Sequence, residues 1–98
     1  MGKKKIIWSN RAEEEFKNIL EFYIERNKSI SYSLKLIDSV EALTTLLVKN
    51  NYLGRLTENG TTRVLIKGNY LIFYEVHKST IEIVSVWDNR QDPEKRFA

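Results

Sequence analysis

The stretch that decides the fold is TRVLIKGNYLIFYEVHKSTIEIVSVWDNR, residues 62–90. Three runs rich in Val, Ile, Leu, Tyr and Phe are separated there by the dipeptides Gly68-Asn69 and Lys78-Ser79. Two-residue breaks between β-prone runs are typical of tight antiparallel hairpins. The stretch is therefore predicted to form a three-stranded antiparallel meander.

The first run of this meander has two different faces, because side chains alternate across a strand. Arg63, Leu65 and Lys67 share one face, and Val64 and Ile66 share the other. We predict that helices cover the apolar face and that the partly cationic face stays open to a macromolecular target.

The residues before the meander predict one strand and two helices. Lys5 to Ser9 is a short β-prone run that would pair with the later sheet. Asn10 then starts a capping-box-like pattern, and Glu13-Glu14-Glu15 puts carboxylates in a first helical turn, where the helix dipole favours them. Apolar residues recur at helical spacing from there to residue 24 and again from residue 36 to residue 47, so we predict an antiparallel helix hairpin.

This order of elements predicts an α+β fold, β-α-α-β-β-β, in which a small curved antiparallel sheet, its N-terminal strand included, packs against a two-helix hairpin. A chain of 98 residues suits one compact domain spanning residues 1–98. The stretch from Asn51 to Gly60 is predicted to be an irregular loop. The tail from Asp88 to Ala98 is predicted to leave the sheet as a turn, with a short final helix near Pro93.

Composition limits the classes of function. The chain has no cysteine and one histidine, which excludes disulfides, thiolate zinc sites and a His-rich metal centre. There is no glycine-rich phosphate loop and no nucleophile motif, so we expect no metal and no cofactor, and any catalysis would be metal-free. No apolar run approaches the roughly 18 residues of a membrane span, so we expect a soluble cytoplasmic protein with no membrane partner.

The candidate site consists of cations. Arg55, Arg63, Lys67 and Arg90 are the predicted target-binding residues, because arginine and lysine position phosphates and stabilise charge that builds on a phosphorus atom. His77 is a residue type that serves as a general base, but its place beside the Lys78-Ser79 turn favours a structural role.

Taken together, the residues resemble the RelE/ParE superfamily of toxins from bacterial type II toxin–antitoxin systems, and the resemblance covers nearly the whole chain. The matching pieces, in order, are Trp8-Ser9, Ala12, Gly54-Arg55, Arg63-Val64-Leu65, residues 69–76 (NYLIFYEV), residues 81–84 (IEIV) and residues 86–90 (VWDNR).

The resemblance implies a growth-inhibiting toxin, of the kind linked to plasmid stabilization, that a cognate antitoxin protein neutralises by direct binding. In one branch of the superfamily the target is DNA gyrase, and the toxin is not an enzyme. In the other branch the toxin is a ribosome-dependent, metal-free endoribonuclease that binds and cuts mRNA, for which Arg63, Lys67 and Arg90 would be the catalytic residues. A third alternative is a non-toxic module that only binds the antitoxin. The sequence does not decide whether the protein forms a homodimer.

Two departures from the superfamily pattern favour the gyrase branch. Nuclease members often carry an arginine directly after the tyrosine that opens the next strand, whereas Leu71 follows Tyr70 here. They also often carry a C-terminal tyrosine or histidine as acid or base, whereas this tail offers Phe97. We therefore expect a gyrase inhibitor, with the ribonuclease as the alternative.

Overall fold

The computed structural model describes residues 3–90 and contains two helices and five strands. In chain order the elements are β1 (Lys5–Trp8), α1 (Asn10–Asn27), α2 (Ser31–Lys49), β2 (Arg55–Leu56), β3 (Thr62–Lys67), β4 (Tyr70–Val76) and β5 (Thr80–Asp88). The predicted α+β architecture is confirmed, and both predicted hairpin turns fall between the strands as expected. Within the described residues, neither helix combines the length and the apolar character that crossing a bilayer requires.

The five strands form one sheet in the order β1-β5-β4-β3-β2, and the helices pack on one of its faces. The core is made of the side chains that point from the sheet toward the helices, together with the apolar stripes of both helices. Its buried members are Ala12, Ile19, Tyr23, Leu36, Val40, Leu47, Leu65, Tyr70, Ile72, Tyr74, Ile81, Ile83 and Val86.

The direction of β1 corrects one detail of the prediction. β1 runs parallel to β5, with Ile6 opposite Ile81 and Trp8 opposite Ile83, so the sheet is mixed and not wholly antiparallel. Antiparallel pairing is imposed only where a short turn joins two strands. β1 and β5 are separated by both helices and three strands, so nothing local fixes their relative direction.

Helix α1 begins one residue earlier than the capping pattern suggested. Ser9 is the N-cap: its Oγ accepts a hydrogen bond from the backbone N–H of Ala12 at 3.0 Å and donates one to the carbonyl oxygen of Val84 at 3.1 Å. The cap therefore fastens the start of α1 to β5 as well as closing the first turn.

The acidic triplet in the first turns of α1 was expected to serve the helix start, but Glu15 has another role. Its Oε1 accepts hydrogen bonds from Ser85 Oγ at 2.7 Å and from the backbone N–H of Val86 at 3.1 Å. The register of β4 against β5 shifts between Phe73 and Tyr74, directly opposite these residues. Glu15 thus supplies a partner for the backbone where the bulge interrupts the ladder.

The loop predicted to be irregular is ordered by Tyr74. This fully buried side chain accepts a hydrogen bond from the Gly54 N–H at 2.8 Å and donates one to the Asn51 carbonyl at 3.0 Å. A Cβ at Gly54 would lie 2.7 Å from the Tyr74 ring and 2.8 Å from the Val64 carbonyl, so only glycine fits there. The close approach lets the loop add the two-residue strand β2 to the sheet.

The prediction of which sheet face the helices cover was wrong. Leu65 is buried opposite Ile72 in the core beneath the helices. By strand alternation, Arg63 and Lys67 point to the same helix-covered side. The reason lies in the neighbours: β4 and β5 carry larger runs of core-facing residues than β3, and they decide which side of the sheet is packed.

The opposite face of the sheet is mainly apolar. It presents Val64 and Ile66 of β3, and an aromatic pair from β4 and β5, Phe73 and Trp87, whose ring centroids are 4.7 Å apart. Ile66 keeps 64% of its surface exposed.

The predicted final helix near Pro93 lies outside the described residues.

Candidate functional site

Arg90 is held over three tyrosine rings just beyond the end of β5. The centre of its guanidinium lies 4.8 Å from the ring centroid of Tyr23, 5.5 Å from that of Tyr32 and 5.2 Å from that of Tyr70. These rings come from α1, α2 and β4, and we call them the tyrosine cage. Cation–π attraction of this kind strengthens when the pair is partly removed from water.

Hydrogen bonds fix the guanidinium within the tyrosine cage. Arg90 Nη2 donates to the Tyr32 hydroxyl oxygen at 2.5 Å and also to that of Tyr70. The hydroxyl oxygens of Tyr32 and Tyr70 are themselves hydrogen-bonded at 2.5 Å. The position of Arg90 therefore depends on α2 and β4 packing together correctly.

Asp88 holds Tyr23 and Arg90 in place from the buried side of the tyrosine cage. Its side chain has no exposed surface, and its Oδ2 accepts a hydrogen bond from the Tyr23 hydroxyl at 2.6 Å. Its Oδ1 accepts from the Arg90 backbone N–H at 2.9 Å and from Arg90 Nε at 3.3 Å. A buried carboxylate needs such partners, because an unpaired charge in the interior is very costly.

These contacts change the proton affinities of the cage. Burial and the hydrogen bond to Asp88 raise the pKa of Tyr23 to about 12. Burial and the hydrogen bond with Tyr32 raise the pKa of Tyr70 as well. For Arg90, burial alone would lower the pKa, but the hydrogen bonds to Tyr32 and Asp88 outweigh it, so the pKa is raised. Near neutral pH the two tyrosines keep their protons and Arg90 keeps its charge.

A shallow cleft of about 280 Å³ lies between α2 and the β3–β4 hairpin, beside the tyrosine cage. Its lining residues are Tyr32, Lys35, Leu36, Ser39, Lys67, Gly68, Asn69 and Tyr70. Lys35 and Lys67 are exposed, and Arg90 retains 37% of its side-chain exposure. We call these three cations, which meet at one end of the molecule, the cationic surface.

The structure brings together only two of the four predicted site residues. Lys67 pairs with Tyr70 across the hairpin, and Tyr70 accepts a hydrogen bond from Arg90. Arg63 lies four residues earlier on β3, about 13 Å away along the strand. Arg55 pairs with Val64 and therefore points to the opposite face of the sheet from Arg63.

Arg63 makes structural contacts within the chain. Its Nη1 donates to the Gly54 carbonyl oxygen at 2.8 Å, and its guanidinium lies 4.8 Å from the Tyr52 ring centroid. Both contacts hold the loop before β2.

His77 lies at the far end of β4 from Tyr70, about 23 Å along the strand, so it does not face Arg90.

Sequence reasoning missed Lys35 and the roles of Asp88 and the two helical tyrosines of the cage. Tyr23 fits the apolar stripe of α1 and reads as an ordinary core residue. The available signal was Asp88, a carboxylate two residues after buried Val86 on a strand whose other buried positions are uncharged. A charge at such a position implies a buried partner.

Comparison with known proteins identifies the family of this chain. The family model described as the ParE toxin of the type II toxin–antitoxin system parDE matches residues 6–93. The chain belongs to the ParE toxin family. A search of curated proteins finds no match.

A solved structure titled as a chromosomal ParDE TA system from P. aeruginosa resembles this ParE-family toxin. The TM-score is 0.74 at 18% sequence identity, and the alignment covers 88% of this chain and 96% of the other. At that identity the likeness shows that the two chains share a fold.

The raised pKa of Tyr23 predicts how the stability of this ParE-family toxin varies with pH. The ordinary tyrosine pKa is 10.0 and the folded value is about 12. Between these values the unfolded chain loses a proton that the folded chain keeps, so the stabilisation is complete below pH 10 and is lost as pH rises toward 12. The loss attributable to Tyr23 is up to about 3 kcal/mol.

Urea denaturation of the wild type and of Tyr23→Phe at a series of pH values from 8 to 11.5 measures this loss. We expect the wild type to lose more free energy of unfolding over this range than the variant does. Equal losses in the two proteins would show that the Tyr23 proton is not held by burial and by Asp88.

Proposed function

We propose that this ParE-family toxin inhibits DNA gyrase by direct binding through the cationic surface, without chemistry of its own, and that a cognate antitoxin neutralises it by direct binding. The observation that carries the proposal is the fixed and partly exposed guanidinium of Arg90. We propose that it acts in the cytoplasm as one domain spanning residues 1–98.

The tyrosine cage makes Arg90 suitable for recognition. Arginine side chains lose considerable rotamer freedom when they bind a partner, and a side chain that is already ordered loses less. Arg90 is ordered by contacts from α1, α2 and β4 while 37% of its side chain remains exposed. Like other arginine side chains it is charged at neutral pH, and its guanidinium suits an acidic or phosphate-bearing target.

The ribonuclease alternative requires a general base near Arg90, and among the described residues the side chains that contact Arg90 are the three tyrosines of the cage and Asp88. A tyrosine hydroxyl with the ordinary pKa of 10.0 is already protonated at neutral pH, and the raised pKa values of Tyr23 and Tyr70 make their deprotonation harder still. The Asp88 carboxylate is fully buried and already bonded to Tyr23 and Arg90. His77 lies at the other end of β4. Together with Leu71 after Tyr70, this favours an inhibitor over an enzyme.

The antitoxin has a candidate docking site on the helices. A groove of about 490 Å³ between α1 and α2, which we call the helix groove, is lined by Trp8, Glu13, Phe16, Lys17, Leu20, Glu21, Ile37, Val40, Glu41 and Thr44. Its floor is apolar, and its rim carries three carboxylates against one ammonium group. We propose that the occupant is an amphipathic antitoxin segment with an apolar face and flanking lysines or arginines.

A gyrase supercoiling assay with purified full-length chain tests the role of Arg90. We expect Arg90→Ala to raise the concentration needed for half-inhibition at least about 30-fold, because truncating a charge ordered for an interface costs about 2–5 kcal/mol. Arg90→Lys should recover only part of the loss, since an ammonium cannot reproduce the forked contacts. Arg26→Ala, an exposed cation in the last turn of α1, is the matched control and should inhibit like the wild type.

Unchanged inhibition by Arg90→Ala would contradict the proposed site, and absence of inhibition by the folded wild type would contradict gyrase as the target. RNA-end mapping after induced expression distinguishes the alternatives. Cleaved mRNA would show that the protein is the ribonuclease. Normal growth of the expressing cells without mRNA cleavage would show that it is a binding module that lacks toxicity.

Charge reversal on the rim tests the helix groove. The probe is the proposed cognate antitoxin, sought as the product of a reading frame adjacent to this gene and immobilised for binding measurements with the full-length chain. We expect the double variant Glu21→Lys/Glu41→Lys to bind it about 10- to 100-fold more weakly, with a smaller effect in high salt, because rim charges act mainly through long-range attraction.

The control for this experiment is Glu58→Lys, a charge reversal of the same kind in the loop before β3. It should bind the antitoxin as the wild type does. Equal affinities for the wild type and the double variant would place the antitoxin elsewhere on the toxin.

A further inference from the structure

The hairpin formed by β4 and β5 carries a second cluster of titratable groups, at the opposite end of the sheet from Arg90. Glu75, His77 and Glu82 each offer one ligand atom, and these atoms all lie within 4.8 Å of one another. We propose that these three side chains bind a divalent transition-metal ion of the Zn²⁺ class. This inference does not depend on the proposed function.

The distances within the cluster suit a tetrahedral ion. His77 Nε2 lies 3.3 Å from Glu82 Oε1 and 3.9 Å from Glu75 Oε1. Ligand atoms about 2.0–2.2 Å from a tetrahedral Zn²⁺ are separated from one another by about 3.4 Å. Small rotations of the two partly exposed carboxylates would bring all three atoms to bonding distance, and the fourth position is left for water.

The strand register explains why a cation is favoured here. Glu75 and Glu82 are direct cross-strand partners in the antiparallel ladder, and like charges at such positions repel. His77 sits two residues after Glu75 on the same face, where its backbone N–H closes the hairpin turn by donating to the Thr80 carbonyl at 2.8 Å. A divalent ion bound between the two carboxylates would attract both of them and so offset their mutual repulsion.

The hydrogen bonds behind Glu75 leave one oxygen available for the ion. Thr62 Oγ1 donates to Glu75 Oε2 at 2.9 Å, and Asn59 Nδ2 donates in turn to Thr62 Oγ1 at 2.8 Å. Thr62 is buried, so this chain of hydrogen bonds is well ordered. Such outer partners orient metal-binding carboxylates, and they are a common part of metal sites in proteins.

The ligand set selects the class of ion. One imidazole nitrogen with two carboxylate oxygens suits Zn²⁺, whereas Mg²⁺ and Ca²⁺ prefer oxygen ligands alone. The side chains of Glu75, His77 and Glu82 keep 26%, 45% and 36% exposure, so an ion can enter from solvent. The nearby Lys4 ammonium is bound to the carbonyl oxygens of His77 and Lys78 at 2.8 and 2.6 Å. Its charge weakens the site without occupying it.

The linear sequence hid this cluster because its third member is supplied across a hairpin. Glu75 and His77 are two residues apart, a spacing that puts them on one face of a strand, but only the register brings Glu82 beside them. The single histidine excluded a His-rich centre and left open a site with one imidazole.

Isothermal titration of ZnCl₂ into the full-length chain, freed of metal with a chelator, tests the proposal. We expect one ion to bind the wild type with a saturable isotherm, and 10 mM MgCl₂ in the buffer should leave it unchanged. His77→Ala should abolish this binding, and Glu82→Gln should weaken it at least about ten-fold, since loss of an outer partner alone typically costs 10- to 100-fold. The matched control Glu58→Gln should bind as the wild type does.

Two further readouts use the same proteins. Because the chain has one histidine, a single set of imidazole signals should shift in an NMR spectrum when Zn²⁺ is added. The melting temperature of the wild type should rise with Zn²⁺ while that of His77→Ala stays constant. Lack of saturable binding by the wild type, or equal binding by His77→Ala, would overturn the site.

Discussion

The carboxylate of Asp88 is the interaction on which the candidate site depends. It is a charge with no exposed surface at the end of β5, and its stability requires the Tyr23 hydroxyl and two N–H groups of Arg90. Those requirements tie α1 to the sheet and turn Arg90 back over the tyrosine cage. The position of Arg90, the cation proposed to bind the target, is thus a consequence of satisfying one buried acid.

The two ends of the sheet carry different charged groups, cations at one end and carboxylates at the other. The end that carries Arg90 also carries Lys35 and Lys67 in the lining of a shallow cleft, and the hairpin at the other end carries two carboxylates and the histidine. Strands β4 and β5 join the two ends, so the roles proposed for them occupy separate surfaces of a single sheet. The helix groove is a third surface, with an apolar floor and an acidic rim, and its lining residues are distinct from those of the cleft beside Arg90.

The parts of the fold that were predictable from sequence are those set by local chemistry. Gly68 adopts a φ of 58° at the first turn position, as mirror-image hairpin turns require. The register of β3 against β4, and of β4 against β5 as far as the bulge at Phe73, follows from the two short turns. The direction of β1 was not predictable, because no short connection fixes it. The covered face of β3 was also not predictable, since Leu65 is its only buried apolar residue on the helix side and its neighbours decide the packing.

The candidate site was predictable only in part, for a related reason. Arg90 and Lys67 stand out as cations in the strand region, and they do meet at one end of the sheet. Arg63 and Arg55 have the same residue chemistry but lie elsewhere. Arg63 contacts the loop that Tyr74 holds, and Arg55 points to the opposite face of the sheet because of strand alternation. The tyrosine cage requires residues from three elements, and no spacing along the chain reveals it.

A double-mutant cycle between Tyr23→Phe and Asp88→Ala, measured by urea denaturation at pH 7, tests the role of the buried carboxylate most directly. We predict a coupling free energy of about 1.5–3 kcal/mol, the value for a hydrogen bond to a charged group. Additivity of the two single substitutions within about 0.5 kcal/mol would show that Asp88 does not anchor α1 to the sheet.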